Sequence, residues 1–260
     1  MTAPVFLGES SPLAGLQAGD RYILGGDEGR HARVVQRRAL GEAIDLVDGR
    51  GLRLRCVVSG LPTVEAQSRA ATLELTVQER IVEAEPQPVL TLVQGLAKGE
   101  HSDLAITQAV ETGVNAIVPW QADRSIVIWR GDREAKSLAK WSAAVTAAAK
   151  QSRRAFIPPI SAAVNSVQLA KLVASVTNSG GLALVLDSAG EIALSRVELP
   201  SSGQVLVIVG PEGGISDTEL AALSASGAIS VRMGPEIMRS STAGAVAIAL
   251  LAVKLGRWEG

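Results

Sequence analysis

Hydrophobic positions along the chain fall into two regimes that change near residue 80. Before it lie short β-like runs, Val5 to Leu7, Tyr22 to Leu24, Ala43 to Val47, Leu52 to Val58 and Thr72 to Val77, a pattern that predicts a small barrel or curled sheet. Asp48-Gly49-Arg50-Gly51 joins two of the runs as a hairpin. Glu28 to Arg38 is the one helix-like interruption, with Ala32, Val34 and Val35 apolar among arginines. Val82-Glu83-Ala84-Glu85-Pro86-Gln87-Pro88 reads as a linker, because proline cannot serve a central strand and holds its predecessor extended. Beyond it strand-like and helix-like stretches alternate: Val89 to Val93, Ser102 to Thr112, Ala116 to Pro119, Glu134 to Ser152, Val167 to Val176, Leu182 to Asp187 and Val205 to Val209. Such alternation predicts a mostly parallel sheet covered by helices, an α/β fold. The domains so read are 1–80, a linker at 81–88, and 89–260. Ser102 and Gly113 stand where the N-cap and C-terminal cap of the first of these helices belong.

The stretch Val205 to Ser216, VLVIVGPEGGIS, organises the second half. Five apolar, mostly β-branched residues suit a strand buried on both faces. Gly210 stops it, Pro211 fixes φ, and Gly213 and Gly214 let the backbone turn sharply and approach a ligand. Ser216 and Glu219 read as a capping box that starts the next helix. Alone, this is equally an ordinary strand-to-helix turn. The second motif, MGPEIMRSSTAGAVAIALLAVKLG from Met233 to Gly256, tips the reading toward a small-molecule site.

Composition narrows the class. With 260 residues and 47% hydrophobic positions the chain can fill one large core or two modest ones. The N-terminus has no basic leader before an apolar core, and the longest strongly apolar stretch, Ala243 to Val253, is too short for a bilayer, so a soluble, cytoplasmic protein is expected. Cys56 is single and reads as a buried strand residue; with only His31 and His101 as histidines, no metal site is expected. The net charge of −1 hides two basic islands: seven arginines against three acids from Arg30 to Arg55, and eight basic residues against two acids from Arg124 to Arg154. These suit contact with a polyanion at defined places, as they would suit solvated helix faces. Four Trp, two Phe and one Tyr make an aromatic stacking platform a poor match, so shape and phosphate contacts would dominate any RNA binding.

GPEGGIS and MGPEIMRSSTAGAVAIAL, in this order and about twenty residues apart, resemble the signature of the bacterial 16S ribosomal RNA (uracil-N3)-methyltransferases of the SPOUT superfamily. KGEHSDLAITQAVETGVNAIVPWQADRS (Lys98 to Ser125) resembles that family's first strand–helix–strand unit, KWSAAVTAAAKQSRRAFIPPI (Lys140 to Ile160) its central helix, and RHARVVQRRALGEAIDLVDGRG (Arg30 to Gly51) its RNA-binding barrel. The resemblance spans nearly the whole chain. It implies a PUA-like β-barrel followed by an α/β domain with a trefoil knot that binds S-adenosylmethionine. It also implies a homodimer packed through the knotted region and last helix, and, as substrate, one uridine of 16S rRNA in the assembled 30S subunit. Ala243, Gly244, Ala245, Ala247 and Ala249 would permit close helix approach, across a dimer or within the chain.

The resemblance assigns cofactor contacts to three segments: Leu186, Asp187 and Ser188; Gly210, Pro211, Glu212, Gly213 and Gly214; and Met233, Gly234, Ile237 and Met238, followed by Ser241, Thr242 and Ala243. Uracil N3 must lose a proton, and Glu212 is the glycine loop's only carboxylate; it would accept that proton or cap loop N–H groups. Arg239 would hold the uracil carbonyls or an RNA phosphate, or form a salt bridge. The family motif has an acidic residue where this chain has Ser241, so an acidic role there does not transfer; Ser241 and Thr242 would cap the last helix or bond the cofactor carboxylate. For RNA the candidates are Arg30, His31, Arg33, Arg37 and Arg38 in the barrel, with Arg124, Arg153 and Arg154 beyond it. Two other classes compete: a nucleotide-dependent oxidoreductase, which lacks its G-x-G-x-x-G here, and a non-catalytic RNA-binding protein, which would not need the second motif.

Overall fold

The structure, a computed structural model, describes residues 3–62 and 71–259. The chain divides into two compact units, one of residues 1–85 with 149–157 and one of residues 86–148 with 158–260.

The first unit contains β1 (Val5–Leu7), α1 (Ser10–Ala14), β2 (Arg21–Leu24), α2 (Gly26–Arg30), β3 (Ala43–Val47), β4 (Leu52–Gly60) and β5 (Leu73–Val82). Its strands form a curled half-barrel in the order β1-β3-β4-β5-β2, antiparallel except for β1 beside β3. Leu52, Leu54, Cys56 and Val58 of β4 and Leu73, Leu75 and Val77 of β5 point inward, the period of two that a half-buried strand requires. With Phe6, Leu13 and Ile44 they make the core. Cys56 is buried there, and burial pushes its thiol up to about 12, so it is inert. Asp48 closes the β3–β4 hairpin, its Oδ1 accepting from Arg50 N at 2.7 Å and Leu52 N at 3.0 Å.

The helix expected over Glu28 to Arg38 is instead the short α2 followed by a π-helical turn at His31–Val35. It stops before Arg37, which adopts φ 54°. Only Ala32 of its three apolar residues is buried; Val34 and Val35 stay 53% and 64% exposed. Segment 149–157, inside 89–260 in sequence, lies with this unit in space. Gly51 N donates to Ala155 O at 3.2 Å, Ile157 N to Gly49 O at 3.0 Å, and Arg53 Nη2 to Arg153 O at 2.9 Å. Arg53 also pairs with Asp45 (2.9 Å) and Glu83 (2.7 Å).

The second unit is a seven-stranded, all-parallel sheet flanked by helices: β6 (Val89–Gly95), α3 (Glu100–Glu111), β7 (Ala116–Gln121), α4 (Asp132–Gln151), β8 (Val164–Asn165), α5 (Ser166–Asn178), β9 (Leu182–Leu186), β10 (Ile192–Ala193), β11 (Gln204–Val209), α6 (Asp217–Ala225), β12 (Ile229–Arg232) and α7 (Ser240–Lys254). The strand order is β10-β12-β9-β11-β6-β7-β8. β11 lies near the centre and Val205 to Val209 are all buried, as a strand covered on both faces must be. Leu206 and Ile208 pack with Leu169, Val173 and Leu223 of α5 and α6. On the other face α7 lies so close that a Cβ at Gly244 would stand 2.8 Å from Leu92 Cδ1. Ala243, Ala245 and Ala247 are buried beside it, so these small residues serve packing within the chain.

Two expected caps differ. Gly99, at φ 64°, starts α3, while Ser102 lies inside the helix and is consumed by Ala97, accepting from its N at 3.1 Å and donating to its O at 3.0 Å. Arg239, with extended backbone, is the N-cap residue of α7. Ser241 and Thr242 already lie within the first turn and do not cap it. Gly113 follows the end of α3 at φ 104°, the conformation a terminating glycine supplies.

Candidate active site

Three loops leave the carboxyl ends of β9, β11 and β12, neighbouring strands of the parallel sheet, which is where open α/β sheets place ligands. After β11 the chain enters Gly210–Ile215. Gly214 sits at φ 75° and its N donates to Pro211 O at 2.9 Å, closing a turn. Gly213 meets a different demand: a Cβ there would lie 2.9 Å from Arg124 Cβ and 3.0 Å from Arg124 O. The capping box then forms as the sequence predicts, Glu219 N donating to Ser216 Oγ at 3.2 Å and Ser216 N to Glu219 Oε2 at 2.9 Å. After β9, Asp187 folds its own loop, Oδ1 accepting from Ala189 N at 3.0 Å. The third loop, Met233–Arg239, runs from β12 into α7.

Between these loops lies a cavity of ≈ 640 Å³. It brings together Leu186, Asp187 and Ser188, then Gly210, Pro211, Glu212 and Gly214, then Met233, Gly234, Ile237 and Met238, with Arg239, Ser241 and Ala243 at the start of α7. Gly213 and Thr242 are not part of its wall; Gly213 faces Arg124 instead. Sequence reasoning missed His101, Arg232 and Glu236, and the apolar Ile215, Leu220 and Val231. Glu236 and Ile215 stand inside the motifs already singled out. His101 comes from the start of α3, beside the site because β6 pairs with β11.

Charge in the wall is mixed: Asp187, Glu212 and Glu236 share it with Arg232 and Arg239, and His101 adds an imidazole. Glu212 is exposed, and its Oε1 accepts from Lys98 N at 3.3 Å, so its carboxylate tethers the β6–α3 loop; among the described residues it accepts from no N–H of its own loop. Arg239 is exposed and makes no ion pair among the described residues. Glu219 lies behind the glycine loop. Burial pushes its carboxyl up, but hydrogen bonds from Ser166, Ser216 and Asp123 outweigh that and hold it below the usual carboxylate range. Arg124 is exposed, its Nη1 donating to Gly213 O at 3.3 Å and Ile215 O at 3.5 Å.

The remaining arginine candidates belong to the first unit. Arg30 and Arg37 are exposed, and Arg33 is half-buried with its Nη1 lacking a partner among the described residues. Arg38 is held by Gln36 Oε1 at 3.0 Å and Glu42 at 3.6 Å. His31 packs beside Phe6, ring centroids 6.0 Å apart, and bonds Gln36 Nε2 at 3.0 Å. Arg153 is exposed at φ 60°, followed by half-buried Arg154. Among the described residues no group of His, Cys, Asp or Glu is placed to hold a metal ion, and no helix is long and apolar enough to cross a membrane.

Comparison with known proteins adds to this geometry. A family model described as an RNA methyltransferase domain matches residues 83–252. The ribosomal RNA small subunit methyltransferase E of Mycobacterium tuberculosis is 39% identical over 259 residues, covering 100% of this chain and 95% of that protein. Its counterpart in Bacillus subtilis is 25% identical over 225 residues, 85% of this chain and 86% of that protein. The crystal structure of the Neisseria gonorrhoeae ribosomal RNA small subunit methyltransferase E, bound to S-adenosyl methionine, superposes with a TM-score of 0.81 at 27% identity, over 97% of this chain and 98% of that one.

Proposed function

Because the chain belongs to the RNA methyltransferase family, of SPOUT type, we propose that it transfers a methyl group from S-adenosylmethionine to N3 of one uridine in 16S rRNA, within the assembled small subunit. The observation that carries this reading is the ≈ 640 Å³ cavity walled by both sequence motifs. The residues present suit the cofactor. The volume lies within the roughly 300–1,000 Å³ usual for small-molecule sites. Apolar Leu186, Ile237 and Met238 suit an adenine, and the glycine loop offers backbone groups at close range. When bound, the cofactor supplies a methyl group activated by the sulfonium.

The protein's own residues position and deprotonate the base. Arg239 holds the uracil carbonyl oxygens, and the N3 proton passes to the Glu212 carboxylate. Glu212 Oε2 has no partner among the described residues, which supports its availability as an acceptor. In this reading the three loops form the trefoil knot, and the curled half-barrel, which takes in segment 149–157, is the PUA-like RNA-binding domain. Arg30, Arg33 and Arg37 meet rRNA phosphates. Two copies pair through α7, where Leu250 and Val253 remain 47% and 52% exposed. The enzyme works in the cytoplasm, where its ribosomal substrate is.

The test is methyl transfer to purified small subunits from a strain lacking the modification, read by mass spectrometry of digested 16S rRNA. One new N3-methyluridine is expected. No transfer, or a methyl on another atom, would overturn the reading.

A further inference from the structure

We infer that Glu219 is a positioning residue for cofactor binding, acting through Asp123 and Arg124 on the outer side of the glycine loop; the inference rests on the proposed binding of S-adenosylmethionine in this cavity. A capping box uses one oxygen of its acidic member, and glutamine serves it as well as glutamate. Here Oε2 fills that role with Ser216 N. Oε1 does something a cap does not need: it accepts from Asp123 N at 2.8 Å and from Ser166 Oγ at 2.5 Å, residues on two other stretches of chain. Three donors converge on one carboxylate that is only 2% exposed. Glutamine cannot satisfy them, since its amide nitrogen would face a donor. Acceptor oxygens on both sides of the carboxylate are therefore required by the two sets of contacts together.

Those contacts lead to the active site. Asp123 is clasped twice, by Glu219 through its N–H and by Ser216, whose Oγ donates to Asp123 Oδ2 at 3.1 Å. The next residue, Arg124, lays its backbone against Gly213 and gives its guanidinium to the carbonyls of Gly213 and Ile215. The glycine loop thus has its outer carbonyls engaged while Gly210 to Glu212 and Gly214 to Ile215 line the cavity. Ile215 and Leu220, flanking the clasp, also line it.

Calorimetric titration of S-adenosylmethionine into the full-length protein tests this, with Glu219→Gln, Arg124→Ala and the double variant beside the wild type. Each single change is expected to raise Kd about tenfold, and the double variant no more than the larger single, because both act on one path. Melting measured in parallel separates this from a structural role: a Glu219→Gln protein with a lower Tm and unchanged Kd, or additive effects in the double variant, would overturn the inference. If Glu219→Gln does not fold, Arg124→Ala decides alone, and its unchanged Kd would overturn it. A wild type that binds no cofactor overturns the cofactor reading itself, and this inference with it.

Discussion

Glu212 reaches from the glycine loop to the backbone N–H of Lys98, its Oε1 3.3 Å away, and so ties the loop after β11 to the loop after β6. The loop after β6 leads into α3, whose His101 lines the cavity wall. A carboxylate bound by one weak neutral donor keeps most of its accepting capacity, unlike Glu219, whose three donors engage both oxygens. The two glutamates, one in the glycine loop and one in the first turn of α6, therefore differ in how far their oxygens are engaged. Glu212 lines the cavity with one oxygen open among the described residues, while Glu219 holds the Asp123 segment and the start of α6.

Glu212→Gln should lower kcat about 100-fold, the scale of one general base, and leave the cofactor Kd within about twofold, since the amide oxygen still accepts from Lys98 N. Single-turnover methylation and calorimetry on the same preparation check both halves. An unchanged rate would confine Glu212 to tethering the loop.

Gly213→Val should leave a folded protein without measurable affinity for S-adenosylmethionine. The first atom of the new side chain would stand 2.9 Å from Arg124 Cβ and 3.0 Å from its backbone oxygen, so either the glycine loop or the Arg124 segment must move. Circular dichroism establishes folding and calorimetry the loss. Retained affinity would show that the loop's position does not govern the site.

Arg33→Ala with Arg37→Ala should weaken rRNA binding about tenfold at moderate salt and flatten the dependence of log K on log salt by roughly 1 to 2 units, about one for each phosphate no longer neutralised. Filter binding across a salt series measures it. Equal slopes would mean these guanidiniums do not meet phosphate.

Glu219 gives the stability a pH dependence of defined sign. Its folded-state pKa is depressed from the ordinary 4.5, so its contribution is fully present above that value and is lost as pH falls below it toward the lower folded-state pKa. Thermal melts below about pH 5 should therefore fall less steeply with acid in Glu219→Gln than in the wild type. Parallel acid slopes would contradict the hydrogen-bonded, ionised carboxylate.

Local signals were legible in the sequence wherever they were local in space. Val205 to Val209, the capping box of Ser216 and Glu219, and the strands of the curled sheet follow from burial period and hydrogen-bonding chemistry within a few residues. Long-range placements were not. His101 lines the cavity because β6 lies next to β11, and strand order leaves no trace in the periodicity of either strand. Ser102 resembles an N-cap in sequence but spends its hydroxyl on Ala97, and Arg239, a residue that signals no cap, takes the extended conformation that starts α7. The segment around Arg153 joins the first unit through hydrogen bonds to Gly49, Gly51 and Arg53, about a hundred residues earlier. Of the expected cofactor residues, Gly213 and Thr242 stand outside the cavity wall, Gly213 because its missing side chain makes room for Arg124.

The central claim is that two glycine-bearing turns enclose a sulfonium cofactor and present its methyl group to a base. A crystal structure of the protein with S-adenosylmethionine tests it most directly. The expected result is the cofactor between Leu186–Ser188, Gly210–Gly214 and Met233–Met238, its methyl group directed toward Glu212 and Arg239. Cofactor bound elsewhere on the chain, with this cavity left empty, would contradict the account.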